Sequence, residues 1–206
     1  MSYNELFNPR QSKDVSFVLV ETGVQGSGKD FLLNTARERG AIPEEITIIN
    51  FGTEIFRKLQ DNNPLLKTRD DIAKLSPAEQ GAAQLAVVDM ILDRQPVIAN
   101  AHVVYRSGDV IATNPSTDKR LRPMSFLYIW SEPDEIAQRR KNDPRPRPYE
   151  SVDDIALHQD LAQYITWRLA RHLGSQYQSI ENRSDNVDEN IDKIGELAKE
   201  IVKNKK

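Results

Sequence analysis

The chain of 206 residues contains no cysteine. Disulfides, thiolate metal sites and cysteine nucleophiles are therefore excluded. A basic excess is missing too, since 28 Lys and Arg stand against 31 Asp and Glu for a net charge of −3. General nucleic-acid binders need positive charge, so nucleic acid is not an expected partner. The first fifteen residues hold no apolar run of the signal-peptide kind. No stretch approaches the roughly 20 apolar residues of a membrane span. A cytoplasmic location with no membrane partner is the expectation. Internal repeats, long linkers, a Ser-His-Asp arrangement, a cluster of His with acids and a second glycine-rich nucleotide motif are all missing. Acyl-transfer, zinc and dehydrogenase chemistries have no support.

Apolar residues make up 38% and charged residues 29% of the chain, as in a soluble globular protein with length for one complete core. Ser16 to Thr22 reads as a buried strand, and Phe31, Leu32, Leu33 and Ala36 space as a helix stopping at Gly40. Ile46 to Phe51 is a second strand. Helical patterns follow over Thr53 to Gln60 and Arg69 to Arg94, with Ser76-Pro77-Ala78-Glu79 as a capping-box start inside the latter. Pro96 to Ala101 is a third strand, and Val103 to Thr113 carries a hairpin signal around Arg106-Ser107-Gly108-Asp109. Ser125 to Trp130 is a fourth strand and Glu132 to Lys141 a helix. The proline-rich stretch Asp143 to Tyr149 is a loop. Ser151 to His172 is a long helix capped by Ser151, Tyr177 to Ile180 a fifth strand, and Val187 to Val202 a closing amphipathic helix. This alternation predicts an α/β fold in one domain, a five-stranded, mainly parallel sheet with helices on both faces. Trp130 and Trp167 are assigned to core or interface.

Between the first strand and first helix lies Gly23-Val24-Gln25-Gly26-Ser27-Gly28-Lys29-Asp30, which satisfies G-x-x-x-x-G-K. Glycines allow the positive φ that turns successive N–H groups inward on phosphate oxygens. The helix adds its positive dipole end, and Lys29 reaches the outer phosphates. Gly23, Gly26, Ser27, Gly28, Lys29 and Asp30 are thus the expected triphosphate-binding residues. Asp30 stands where the pattern has Ser or Thr. A carboxylate is a hard-cation ligand, so Asp30 is the expected metal residue, for Mg2+. It also adds negative charge near the phosphates.

Around this loop the chain resembles the archaeal-type adenylate kinases, a branch of the P-loop nucleoside monophosphate kinases, from Phe17 to Val202. The resemblance rests on Asn50-Phe51-Gly52-Thr53, on Arg69-Asp70-Asp71-Ile72-Ala73-Lys74-Leu75 with Gln80, and on Ala99-Asn100-Ala101-His102. It rests also on Arg139-Arg140 with Asp143, Arg145 and Arg147, on His158-Gln159 and on Ile180-x-Asn182. The chain departs from the family at Asp30, at Ala73 in place of an arginine, at Asn100 in place of an aspartate, and over Val103 to Pro123. Gly-Lys-Asp is similar to a sequence in some viral deoxynucleotide kinases. The resemblance implies the three-layer P-loop NTPase fold over residues 1–206, with an acceptor-site helical insertion near 53–94 and a short arginine-rich lid near 139–150.

Arg139, Arg140, Arg145 and Arg147 put four guanidinium groups within nine residues. Such forked donors suit the charge that spreads over a transferring phosphoryl group, so with Lys29 they are the expected catalytic residues. A solvated helix end is the competing reading. His102, at a strand end, and Arg106 and Arg69 are expected at the acceptor; packing or surface pairing competes for each. The expected activity is transfer of the ATP γ-phosphoryl group, with Mg2+, to a nucleoside monophosphate, AMP or a dNMP. The alternatives are a nucleotide-binding pseudo-kinase acting through a partner and a P-loop kinase for a non-nucleotide acceptor. The partners are then ATP and a small phosphate-bearing acceptor, with homo-oligomerisation left open.

Overall fold

The computed structural model describes residues 16–68, 71–72, 75–107, 110–113, 120–143 and 150–205, with 105–107 and 110–113 described through their backbone. The elements are β1 (Ser16–Thr22), α1 (Lys29–Glu38), β2 (Thr47–Asn50), α2 (Phe51–Asn62), α3 (Pro77–Asp93), β3 (Val97–Asn100), β4 (Val104–Ser107), β5 (Val110–Thr113), β6 (Pro123–Trp130), α4 (Pro133–Lys141), α5 (Val152–Leu173), β7 (Gln176–Glu181) and α6 (Val187–Lys205).

Five strands form one sheet in the order β2-β3-β1-β6-β7, and every pairing is parallel. The expected sheet is therefore present. Its antiparallel component, the β4–β5 hairpin, lies outside it as a separate two-stranded ribbon. Strand alternation sorts the core into two layers. Val18, Val20, Val97, Ala99, Phe126 and Tyr128 pack with α2, α3 and α5. Leu19, Ile98, Leu127 and Ile129 face the other way, onto α1 and α6. Helices thus cover both faces, giving three layers.

Local chemistry sets the element ends. Asn50 leaves β2 to cap α2, accepting from the Thr53 N–H at 3.0 Å, so the expected second strand ends one residue early. Of the helical stretch expected over Arg69 to Arg94, the described α-helix is α3, which starts at Pro77, where Ser76 and Glu79 complete the capping box. Ser151 and Asp154 do the same for α5, which stops at Gly174 in the left-handed conformation. Trp130 packs half-buried against the core, whereas Trp167 is exposed on α5. Arg69, Asp70, Ala73, Lys74, Arg145 and Arg147 lie outside the described residues.

Candidate functional site

The three strands β1, β2 and β3 end side by side at their carboxyl edge, with Glu21 in register with Asn100 and Asn50 in turn with Asn100. That edge is where open parallel sheets bind ligands. From it β1 runs into the phosphate loop. A Cβ on Gly23 would meet the Ile129 carbonyl oxygen at 2.4 Å, and Gly28, the α1 N-cap, holds φ 87° with its Cβ position 2.1 Å from Asn182 Nδ2. Only glycine fits either place. Among the described residues no side chain caps α1, so its first N–H groups are placed to meet an anion.

A buried polar truss holds the loop from behind. Ser27 O accepts from Ser131 Oγ at 2.9 Å and from Asn182 Nδ2 at 2.8 Å. Gln159 in turn brackets Ser131, accepting from its N–H at 3.3 Å and donating to its carbonyl at 2.8 Å. Tyr128 Oη donates to the Gln159 carbonyl at 3.0 Å, tying α5 to β6. Asn182 follows β7 and Ser131 follows β6, so two segments converge on one loop carbonyl and Gln159 of α5 backs the first of them. Gln159 and Asn182 carried the family resemblance in the sequence, but their role as props becomes visible only here. Ser131 gave no sequence signal.

Lys29 is buried, and its ammonium donates to the carbonyls of Gly23 at 3.2 Å and Val24 at 3.4 Å. Burial holds its pKa below the usual lysine range and the Arg140 charge adds to this, against the pull of Glu21 and Asp30. Glu21, at the end of β1, is the most unusual group nearby. It is 1% exposed, and neither carboxylate oxygen has a hydrogen-bond partner among the described residues. Burial pushes its pKa from 4.5 up to about 8, opposed by Lys29 and reinforced by Asp30. An acid directly after the apolar run Phe17 to Val20, still within the strand, was the available sign.

Asp30 sits exposed in the first turn of α1. Its Oδ1 accepts from Asn100 Nδ2 and, at 3.4 Å, from Asn50 Nδ2. Two strand-end amides thus orient one carboxylate, and its Oδ2 makes no hydrogen bond among the described residues. Among those residues no group of three or more His, Asp or Glu gathers as a metal site. Asp30 offers a hard oxygen that fits Mg2+, with the remaining oxygens left to phosphate and water. His102 Nδ1 lies 2.8 Å from the Gly23 carbonyl. A carbonyl only accepts, so Nδ1 carries the proton.

Arg139 and Arg140 end α4 against the loop. Arg139 Nη1 donates to Gly26 O at 3.3 Å and Ser131 Oγ at 3.0 Å, while its Nη2 pairs with Glu135 at 2.7 Å. Arg140 Nε donates to Gln25 O at 2.9 Å, and its Nη1 pairs with Glu150. Both guanidinium groups therefore brace loop carbonyls. The reading of a solvated helix end fails for both. For Arg106 the side chain lies outside the description, while its backbone lies in β4.

Two cavities flank the loop. One, of about 280 Å³, is lined by Lys29, Asp30, Asn50, Asn100, His102 and Arg140 among others. The second, of about 720 Å³, is lined by Glu135, Gln138, Asn142, Asn182, Arg183 and Val187. Gly28, Phe31 and Arg139 border both. Among the described residues no helix is long and apolar enough to cross a membrane.

Residues 22–156 match the family described as the AAA domain. The adenylate kinase of Thermococcus kodakarensis is 31% identical over 175 residues, covering 82% of this chain and 88% of its own. That of Pyrococcus abyssi is 29% identical over 196 residues, covering 92% and 98%. Among solved structures, the shikimate kinase from Acinetobacter baumannii in complex with shikimate aligns with a TM-score of 0.54 at 17% identity, over 94% of this chain and 96% of that one. The shikimate kinase from Bacteroides thetaiotaomicron gives 0.54 at 15% identity, over 88% and 98%. At such identities these two bear on the fold alone. A family match across residues 22–156 and an archaeal relative 31% identical over most of both chains show that the protein belongs to the P-loop nucleoside monophosphate kinases, on their archaeal adenylate kinase-like branch.

Proposed function

We propose that the protein is a nucleotide kinase that transfers the γ-phosphoryl group of ATP to a nucleoside monophosphate, AMP or a dNMP. The observation that carries this reading is the pair of cavities meeting at Gly28 and Arg139, one on each side of the phosphate loop. A phosphoryl group passing between two bound nucleotides needs two pockets with the loop between them. The donor base and ribose take the larger cavity, between Arg139 and Arg183. The acceptor phosphate takes the smaller, toward His102, with Arg69 and Arg106 as further acceptor contacts.

In this reading the loop N–H groups and Lys29 hold the β and γ phosphates. Lys29 leaves the Gly23 and Val24 carbonyls to do so, exchanging two neutral acceptors for charged ones. Arg139 and Arg140, with Arg145 and Arg147 from the adjoining segment, neutralise charge on the transferring group. Mg2+ would supply charge neutralisation on the triphosphate when bound, and Asp30 would hold it. No protein base is needed, because an acceptor phosphate is already ionised at neutral pH. The adenylate kinases among the relatives support AMP as the first acceptor to test.

The test is magnesium-dependent turnover against a panel of NMPs and dNMPs, with Lys29→Met as control. Turnover should fall at least about a hundredfold in that variant. ATP binding without transfer to any acceptor would instead select the pseudo-kinase reading. The engagement of the Asp30 carboxylate by Asn100 favours that rival. Transfer confined to a non-nucleotide acceptor would select the third.

A further inference from the structure

The turn between β7 and α6 touches both the phosphate loop and the larger cavity. Asn182, its first residue, donates to the Ser27 carbonyl of the loop at 2.8 Å, and its own carbonyl accepts from Ser131 Oγ at 3.1 Å. Arg183, Ser184 and Val187, which follow, line the larger cavity. Arg183, Ser184 and Asp185 are exposed, so hydrogen bonds rather than packing must hold this stretch. Two amides at the start of α6, one helical turn apart, supply them. Asn186 Oδ1 accepts from the Arg183 N–H at 2.9 Å. Asn186 Nδ2 and Asn190 Nδ2 both donate to the Glu181 carbonyl, at 2.9 and 2.7 Å. Asn190 Nδ2 also donates to Asn186 Oδ1 at 3.1 Å.

The helix alone explains neither amide. A residue placed as Asn186 is, just before the first helical residue, ordinarily accepts from an N–H two or three residues ahead. The Asn186 oxygen instead takes the Arg183 N–H behind it and the Asn190 amide. Asn190 is buried beside Ile191 and Ile194, which pack into the core. A buried amide costs stability unless its N–H groups are used, and an apolar residue would pack without that requirement. Here Asn190 Nδ2 serves two acceptors, and the Glu181 carbonyl receives two donors, enough to fill both of its lone pairs. The other end of the turn is fixed as well, since the Asn182 N–H donates to Trp130 O at 2.7 Å. The turn is therefore clamped to β6 and the phosphate loop at Asn182, and to α6 at Asn186.

We propose that Asn186 and Asn190 are positioning residues for the nucleotide donor. They hold the turn so that the cavity wall at Arg183, Ser184 and Val187 keeps a fixed offset from the loop that Asn182 supports. Base and ribose then meet a wall already in place when the phosphates seat, and the cost of ordering that wall falls before binding rather than during it. Asn182 reaches Ser27 and Trp130 through contacts that neither amide makes, so the phosphate loop keeps its own support. Loss of either amide should therefore weaken recognition of the nucleoside part and spare the phosphates. The proposal rests on the assignment of the donor base and ribose to the larger cavity.

The experiment compares ATP with inorganic tripolyphosphate, which carries the phosphates without base or ribose, each titrated calorimetrically with Mg2+ present. Asn190→Leu and Asn186→Ser should each weaken ATP about tenfold while tripolyphosphate changes by less than about twofold. Serine is a good helix cap, so it replaces Asn186 without loss if that residue only starts α6, yet it is too short to span Arg183 and Glu181. Asn186→Ser, at a half-buried place, therefore decides between the two readings even if Asn190→Leu does not fold. In turnover the ATP KM should rise with kcat little changed. Unchanged ATP affinity in Asn186→Ser overturns the proposal. So does an equal loss of ATP and tripolyphosphate, which would make the amides general supports of the loop. Val187→Trp, which fills the larger cavity, checks the assignment beneath the proposal. If ATP affinity survives Val187→Trp, the donor nucleoside lies elsewhere and both readings fall. If Val187→Trp abolishes it and Asn186→Ser does not weaken it, this inference fails alone.

Discussion

The Asn100 side-chain amide donates to the Asp30 carboxylate, joining the end of β3 to the first turn of α1 across the mouth of the phosphate loop. The family pattern places a hydroxyl at position 30 and an acid at position 100, so this chain keeps one carboxylate but carries it on the opposite partner. Asn100→Asp would set two carboxylates in contact. In the absence of a divalent cation, ATP affinity should fall about tenfold or more through that repulsion. The exchange Asp30→Ser with Asn100→Asp restores a single carboxylate and should recover most of the loss. Fluorescent-nucleotide titration of the four proteins gives the coupling directly. Simple additivity of the two substitutions would show that the pair does not act as a unit.

Glu21 makes stability depend on pH in the sense opposite to most carboxylates. Its folded pKa of about 8 lies above the ordinary 4.5, so between those values the folded chain holds a proton that the unfolded chain has lost. Folding therefore weakens as pH rises across that window, with a slope approaching 1.4 kcal/mol per unit, and the cost is complete above it. Below pH 4.5 both states are protonated and Glu21 contributes no pH dependence. Glu21→Gln carries no titrating group and should lose this slope. Urea midpoints for the two proteins should diverge steadily from pH 5 to 8. Parallel curves would mean that Glu21 is ionised in the folded protein throughout.

The truss behind the loop should separate folding from binding. Gln159→Leu leaves both the N–H and the carbonyl of Ser131 without their side-chain partner in a buried place. The expected stability loss is about 1–3 kcal/mol. Gly28→Ala meets both a positive φ and the Asn182 amide, so it should cost a similar amount and also displace the prop on Ser27. Nucleotide affinity should fall in each, with Gly28→Ala the worse because its strain lies in the loop itself. Unfolding curves with and without ATP distinguish the two effects.

Much of this was legible from residue order. Apolar runs of four to eight residues between helical patterns specify a buried parallel sheet, and the two capping boxes at Ser76 and Ser151 appear where their side chains place them. The phosphate loop is readable because its glycines, lysine and strand-to-helix setting are contiguous. The props are not contiguous: the packing of α5 and β7 on β6 brings Ser131 and Asn182 to Ser27 and sets Gln159 behind Ser131. Glu21 was overlooked for a related reason. A lone acid in a strand has no pattern, and its significance depends on Lys29 and Asp30 folding over it. The hairpin at Val103 to Thr113 was legible as a hairpin, but not as a ribbon outside the sheet, since that depends on which edge is free.

Arg139 and Arg140 offer the sharpest test of what the α4 end is for. Both now hold loop carbonyls, Arg139 with one nitrogen on Gly26 and Ser131 and the other on Glu135. Bracing of that kind and stabilisation of a transferring phosphoryl group predict different kinetics. If Arg139 only braces the loop, Arg139→Lys loosens the donor site, raising the donor KM and lowering thermal stability with kcat little changed. If its fork closes on the phosphoryl group in the transition state, kcat falls about a hundredfold while KM moves little, because lysine cannot reproduce the bidentate geometry. The second outcome is expected for Arg139, which borders both cavities, and a milder one for Arg140, whose guanidinium is already committed to Glu150. Glu150→Gln should then release Arg140 and narrow the difference between the two arginine positions.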